Sequence, residues 1–363
     1  MPIITVDDVI LILWALFFTV VLTVNVLLLL LMLRHTPRSF ANFGIVMKAH
    51  VVSDIQTIVA AAAVMNRTIP IDHAYVYAAH GPCTLVSSSL CFVTYGLMSM
   101  GASMTLYIVL VSFIVRLQIM KNRKPSDNSI ICLLIIFSFP VPLAILILFL
   151  CSRSEDSVMR AILEARLPEY ASGDATIFGI EDIRIPTMST SLALMIGVII
   201  PLYLIILLLR SRILTCLAET GDFFSERTKN MHAQFVKMLT LQCAIPPVVF
   251  VVTLVPFYLQ QLELVRHPLV EAVNSMVKAR TLSDPWSVHY SYTLVEKLPD
   301  ISRILFQLAC LSTLLSPLIV LFLIRPYRRA MKRLIEGREK PLSLSLSINP
   351  ESTLFVDTRT TDS

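Results

Sequence analysis

The chain has 363 residues, 56% of them hydrophobic and only 15% charged, and its mean hydropathy is +0.75. Soluble domains carry about 25% charged residues, so this balance excludes an ordinary water-soluble globular protein. The net charge of +5 lies in the segments between apolar runs, so it speaks of membrane topology rather than of nucleic acid.

Seven apolar stretches organise the chain: residues 9–33, 44–65, 91–115, 129–151, 189–209, 235–259 and 304–324. Each has about 20–25 residues, the length a helix needs to cross a hydrocarbon core of roughly 30 Å. Inside lipid every backbone N–H must be paired within its own segment, so helices are expected. The strict alternation of a membrane β-barrel is missing. The fold expected is therefore an all-α membrane protein, a seven-transmembrane helix bundle spanning residues 1–340. A disordered tail, rich in Ser and Thr, is expected over 341–363.

The linkers 34–43, 116–128, 210–234 and 325–340 hold 17 Lys/Arg and 6 Asp/Glu. The opposite set, 1–8, 66–90, 152–188 and 260–303, holds 10 and 15. By the positive-inside rule the first set is cytoplasmic, the N-terminus is outside and the C-terminus is cytoplasmic. Asp7 and Asp8 precede the first stretch and no basic segment does, so that stretch reads as a retained helix and not as a cleaved signal.

In chain order, the first stretch carries Asn25 at its middle and the second carries Lys48, His50 and Asp54. Lys48 can snorkel to the headgroups. His50 and Asp54 are four apart and share a helix face. Asp54 lies too deep to reach water and is expected to pair, with Asn25 or with Ser316 of the seventh stretch. This polar set is either a proton- or ion-sensitive switch or a satisfied packing contact. Asn66-Arg67-Thr68 follows, a glycosylation sequon on the expected outer side.

Seven cysteines cannot all pair. Cys83, Cys91 and Cys151 fall near the outer, oxidising face. On one helix, Cys83 and Cys91 would stand about 12 Å apart, too far to bridge. A Cys83–Cys151 bond is then the candidate, with free thiols the alternative. No CxxC pair, His pair or HExxH string occurs, so neither metal nor cofactor is expected.

The third stretch is rich in Ser, Thr and Gly, which suits a helix surrounded by others. Its Met98, Met100 and Met104 are candidates for the wall of a ligand cavity, with plain core packing the rival role. Prolines interrupt the later stretches. Pro201, Pro246, Pro247 and Pro317 are the hinge candidates, against the alternative of static kinks. The long outer linkers 152–188 and 260–303 read as a partly ordered lid, with a short surface helix at 262–279. After the last stretch, residues 325–334 combine five cations with apolar residues and suit an amphipathic helix on the lipids of the inner leaflet.

Particular strings narrow the reading. Asn66-Arg67-Thr68-Ile69-Pro70, His80-Gly81-Pro82-Cys83 and Cys91-Phe92-Val93-Thr94-Tyr95-Gly96-Leu97-Met98 resemble the second-to-third-helix region of the nematode class d (delta) serpentine receptors. These belong to the Str superfamily of G-protein-coupled receptors. Arg166-Leu167-Pro168-Glu169-Tyr170 is similar to part of that family's second outer loop. Ser225-Glu226-Arg227-Thr228-Lys229-Asn230-Met231-His232, continuing through Gln242-Cys243-Ala244-Ile245-Pro246, is similar to the start of its sixth helix.

The resemblance implies a chemosensory receptor of the plasma membrane, in sensory cilia, coupled to a heterotrimeric G protein. A small, apolar or volatile ligand would sit between the third, fifth, sixth and seventh helices near the outer face. Arg116, Lys121, Arg123, Lys124, Arg227, Lys229 and Lys237 would meet the G protein, with membrane topology as the rival role for most of them. Three departures limit any transfer of switch residues. Arg116 follows Ile114-Val115 with no acid beside it. Ser316-Pro317-Leu318-Ile319-Val320 stands where Asn-Pro-x-x-Tyr is usual. No histidine falls within 99–106. A transporter or channel is the alternative, yet no internal repeat or matched pair of broken helices is present. An enzyme is not expected, since no nucleophile–base pair can be read from the chain.

Overall fold

A computed structural model describes residues 6–36, 41–71, 73–121, 125–166, 175–219, 236–245 and 310–336, with 168, 234 and 248 as single positions. Helix α1 runs Val6–His35 and α2 Ala41–Val64. Strands β1 (Asn66–Ile71) and β2 (Ala74–Ala79) follow, then a 3-10 turn at Pro82–Leu85. Next come α3 (Ser88–Met120), α4 (Asp127–Ser138), α5 (Pro140–Leu150) and α6 (Asp156–Arg166). Strand β3 (Thr176–Ile180) precedes α7 (Pro186–Gly197) and α8 (Ile199–Glu219). The last helices are α9 (Val236–Ile245), α10 (Cys310–Leu323) and α11 (Arg325–Ile335).

Five stretches of described helix are long and apolar enough to cross a membrane: Val9–His35, Asn42–Val64, Ser88–Met120, Asp127–Leu150 and Pro186–Cys216. They correspond to the first five predicted spans. Helices α9 and α10 are the described parts of the sixth and seventh.

Local chemistry explains the helix ends. The Ser87 hydroxyl accepts from Leu90 N at the start of α3, and Ser126 accepts from Ser129 N at the start of α4, each satisfying an orphan donor. Two spans are broken at proline. Pro140 opens α5 and has no N–H to give, so α4 stops at Ser138. Pro201 cannot donate one turn back to Gly197, and the fifth span breaks between α7 and α8 at Val198. Helix α11 turns 93° away from α10, with Ile324 extended at the corner and Pro326 in the first turn. That is the direction a helix takes when it lies along a membrane surface. The Tyr327 hydroxyl, 3.1 Å from Thr36 Oγ1, ties α11 to the end of α1.

One end of the bundle carries a sheet of order β1-β2-β3. The hairpin pairs Asn66 with Ala79 and Ile71 with Ala74, and β3 adds with Tyr75 opposite Ile180. The first and second linkers on this side are thus one structure. Within the expected partly ordered lid over 152–188, the described residues form α6 and β3; the other expected lid segment, 260–303, and its helix at 262–279 lie outside the described residues. Alternation gives the sheet two apolar faces. Tyr75, Tyr77 and Phe178 pack on Phe92, Phe149 and Cys91 at the bundle end. Ile69, Val76, Ala78 and Ile177 pack on Met159 and Leu163 of α6. Arg153 and Ser88 both bond Asp156, which fastens α6 to the start of α3.

The disulfide joins Cys83 to Cys91, with their Cα atoms 5.1 Å apart, and Cys151 is a free, exposed thiol. The expected Cys83–Cys151 bond is therefore wrong. The distance argument failed because Cys83 is not on α3. It sits in the 3-10 turn, and the chain folds back before Ser88. Asn66 is also corrected: its side chain is 0% exposed inside β1 and donates to Thr68 Oγ1, which leaves no room for a glycan on the folded chain.

Candidate functional site

Buried polar residues from five helices meet at the middle of the bundle. On α2, His50, Ser53, Asp54 and Thr57 lie on one face, as their spacing requires. On α3, Gly101 and Thr105 face them. A Cβ added at Gly101 would stand 2.4 Å from Thr57 Oγ1, so glycine allows the two helices to touch. The close approach lets Ser53 Oγ donate to the Gly101 carbonyl at 3.1 Å.

Asp54, 1% exposed, accepts from Thr105 Oγ1 at 3.2 Å. Its other oxygen is 3.5 Å from His50 Nε2. The same His50 nitrogen is 2.8 Å from Ser316 Oγ on α10, and Gln242 Nε2 on α9 donates to that hydroxyl at 3.0 Å. Ser316 is thus the node where α2, α9 and α10 meet. Asn25 donates to the Thr313 carbonyl at 3.0 Å and to its own Val21 carbonyl at 2.9 Å, which pins α1 to α10. The expected pairing of Asp54 with Asn25 does not form, because that amide's donors are taken by carbonyls.

Spare capacity remains. Among the described residues Asn25 Oδ1 accepts no hydrogen bond, whereas the Asp54 carboxyl also meets the Ser316 hydroxyl. Towards the α11 end a cavity of about 10 Å³ opens beside His50, Ser112 and Gln242, walled by Met32, Phe43 and Met47. That is about the space of one water. Sequence reasoning missed Gln242 and Thr105 as partners. A glutamine inside an apolar run was the available signal for the first.

The other candidates are dispersed. Met98 packs with Trp14, Phe18 and Cys310, whereas Met104 packs with Val46, Ile108 and Ile130, and Met100 is buried. Six residues turn a helix by about 240°, so these methionines do not wall one cavity. Pro201 marks the α7/α8 break, Pro317 is buried within α10, and Pro246 and Pro247 lie outside the described residues. Arg116 is only 2% exposed, so it is not on a surface ready to meet a partner. Lys121 and Lys237 are exposed. Arg123, Lys124, Arg227 and Lys229 lie outside the described residues.

Long apolar helices around a buried polar centre are the architecture of a membrane helix bundle. Squid rhodopsin shares the fold, with a TM-score of 0.57 at 10% identity over 92% of this chain and 82% of that one. The sequence profile of the serpentine type 7TM GPCR chemoreceptor Srd family matches residues 10–293, and the chain belongs to that family. Among its relatives in Caenorhabditis elegans, serpentine receptor class delta-1 is 24% identical over 86% of this chain and 77% of its own length. Serpentine receptor class delta-18 is 25% identical over 92% and 89%. The resemblance read from the sequence is therefore correct, and the protein is a multi-pass membrane receptor and not an enzyme.

Proposed function

We propose that this receptor detects a small, apolar or volatile molecule and activates a heterotrimeric G protein, from the plasma membrane of a sensory cilium. The sheet end faces outside and α11 lies on the cytoplasmic leaflet. The distribution of Lys and Arg among the linkers supports that orientation. The ligand enters between the third, fifth, sixth and seventh spans near the sheet.

The observation that carries the reading is the hydroxyl of Ser316, shared by His50 and Gln242. A single hydroxyl linking three helices gives two arrangements: α9 joined to α2 through α10, or released from it. A ligand that favours one over the other shifts the population by its difference in affinity. Hinge motion at Pro201 and Pro317, and at Pro246 and Pro247, carries the shift to a cytoplasmic face that includes Lys121 and Lys237. Arg123, Lys124, Arg227 and Lys229 complete that face, and buried Arg116 joins it only as the helices part.

The test is a volatile panel applied to the expressed receptor, with guanine-nucleotide exchange and ion flux read together. Ligand-dependent exchange is expected; flux without exchange would refute the proposal. Tags at both ends check orientation, since only the amino-terminal tag should bind antibody on intact cells.

A further inference from the structure

The turn closed by the Cys83–Cys91 bond has no part in the polar switch, yet its composition and geometry are unusual. Leu85 is 87% exposed and Val86 71%, the most exposed large hydrophobic residues of the sheet end among those described. Leu90 and Val93 on the adjoining turns of α3 are also exposed, so the apolar tip continues the lipid-facing side of that helix. From Gly81 to Val115 there is no Asp, Glu, Lys, Arg or His. Elsewhere at this end the surface is charged, with Arg153, Glu155 and Asp156 beside α6 and Glu181, Asp182 and Arg184 after β3.

Length matters as well. Helix α3 has 33 residues, about 50 Å, against a hydrocarbon core of roughly 30 Å. A helix that long carries its ends into the headgroup layer, where charged residues are usual, but here the uncharged sequence continues through the turn. The turn also pairs several of its own amide donors. Thr84 N donates to Gly81 O at 3.1 Å, Val86 N to Cys83 O at 3.1 Å and Ser87 N to Cys83 O at 3.2 Å. The Thr84 hydroxyl also bonds Gly81 O, at 2.9 Å. An uncharged segment with these amide donors paired suits the upper edge of the acyl chains, where its carbonyls still reach headgroup water.

We propose that the disulfide-closed turn at residues 82–87 is a membrane-seated wedge, with Leu85 and Val86 inserted among the upper acyl chains of the leaflet at the sheet end. The bond holds the tip rigid, so insertion costs little ordering. The wedge fixes the height and tilt of α3. Insertion does not depend on the ligand, the G protein or which leaflet is outer.

The test places tryptophan at the tip of the full-length receptor in lipid nanodiscs, as Leu85→Trp and separately Val86→Trp. The added emission is measured over that of the parent. Lipids brominated on the upper acyl chain should remove about half of the added emission or more, and aqueous iodide little of it. Arg184→Trp, at an exposed charged site of the same end, is the control and should respond to iodide. Iodide quenching at both tip positions without lipid quenching overturns the wedge. Equal lipid quenching of Arg184→Trp overturns it too, since tryptophan alone would then explain the signal. A photo-crosslinker at residue 85 should yield lipid adducts in cells; a discrete protein adduct would mean that the tip docks a partner chain instead.

Discussion

The sheet end and the polar centre are held by different forces. At the sheet end two apolar clusters sandwich the strands and a disulfide closes the adjoining turn. At the centre, helices that also pack through an apolar cluster are cross-linked by hydrogen bonds through Thr105, His50, Gln242 and Asn25, with an unused acceptor and a small cavity beside them. Each such bond is worth about 1 kcal/mol net, whereas burying one large side chain is worth about 1.5–3 kcal/mol. The first region suits a fixed cap and the second an equilibrium that a ligand can tip.

The largest effect expected comes from two glycines that differ in the obstacle before them. A Cβ at Gly81 would lie 2.3 Å from the Ala63 carbonyl oxygen, which is backbone and cannot step aside. At Gly101 the obstacle is the Thr57 hydroxyl. Gly81→Ala should destabilise the purified receptor by about 3 kcal/mol or more, and Gly101→Ala by about 1–3 kcal/mol. Thr57→Ala should restore much of the Gly101→Ala loss and none of the Gly81→Ala loss. Thermal melts of the singles and doubles decide it; rescue of both, or of neither, would break the contrast.

Next is the disulfide. Opening a loop of this size costs about 2–3 kcal/mol in the chain-entropy account. Cys83→Ser and Cys91→Ser should each lower the melting temperature alike, and the double variant no further. Cys151→Ser should leave it unchanged. A drop with Cys151→Ser equal to that with Cys83→Ser would restore the pairing that the structure rejects.

The two regions also differed in how well they could be read from sequence. The spans were legible because a helix in lipid satisfies its own backbone, so length and apolarity suffice to locate it. The breaks at Pro140 and Pro201 fall where a donor is missing, whereas Pro317 lies within an unbroken α10. The sheet was not legible, since pairing Tyr75 with Ile180 depends on a contact between distant segments. The disulfide was misjudged through a three-dimensional detail, the reversal between Leu85 and Ser88. At the centre the participants were visible as costly polar residues, but helical phase and depth decide which hydroxyl meets which carboxylate. Asp54 found Thr105, and Asn25 found a carbonyl.

At the centre, Asp54→Asn should change basal nucleotide exchange by several-fold while surface expression changes little. The amide keeps the size and still accepts from Thr105, yet it replaces one carboxyl oxygen beside His50 with an NH2 group. Ser316→Ala should act in the same sense, since it removes the node shared with Gln242. Cell-surface labelling measured alongside basal exchange separates the two roles. A parallel fall of both quantities would mean that the cluster only packs the bundle.

The smallest effect tests whether the corner at α11 belongs with the fixed cap or with the movable centre. Tyr327 is buried, and its hydroxyl meets Thr36 at 3.1 Å. Burial pushes the phenol above its usual range, and the Thr36 bond offsets this only in part, so the group stays neutral at physiological pH. Tyr327→Phe removes one neutral hydrogen bond while keeping the ring in its apolar seat, a loss of about 0.5–1.5 kcal/mol. The melting temperature should fall by only a degree or two, since the receptor is large. Signalling separates the outcomes. If the corner is static, ligand-stimulated exchange keeps its amplitude and midpoint; if α11 moves with α10 on activation, the midpoint shifts while the melt barely changes. The bond spans the first and last described helices, and α1 is already pinned to α10 through Asn25 and Thr313. We expect the static result: Tyr327 ties the α11 corner to the end of α1, so the corner stays in place while the hinges above it move α9 and its Gln242 contact.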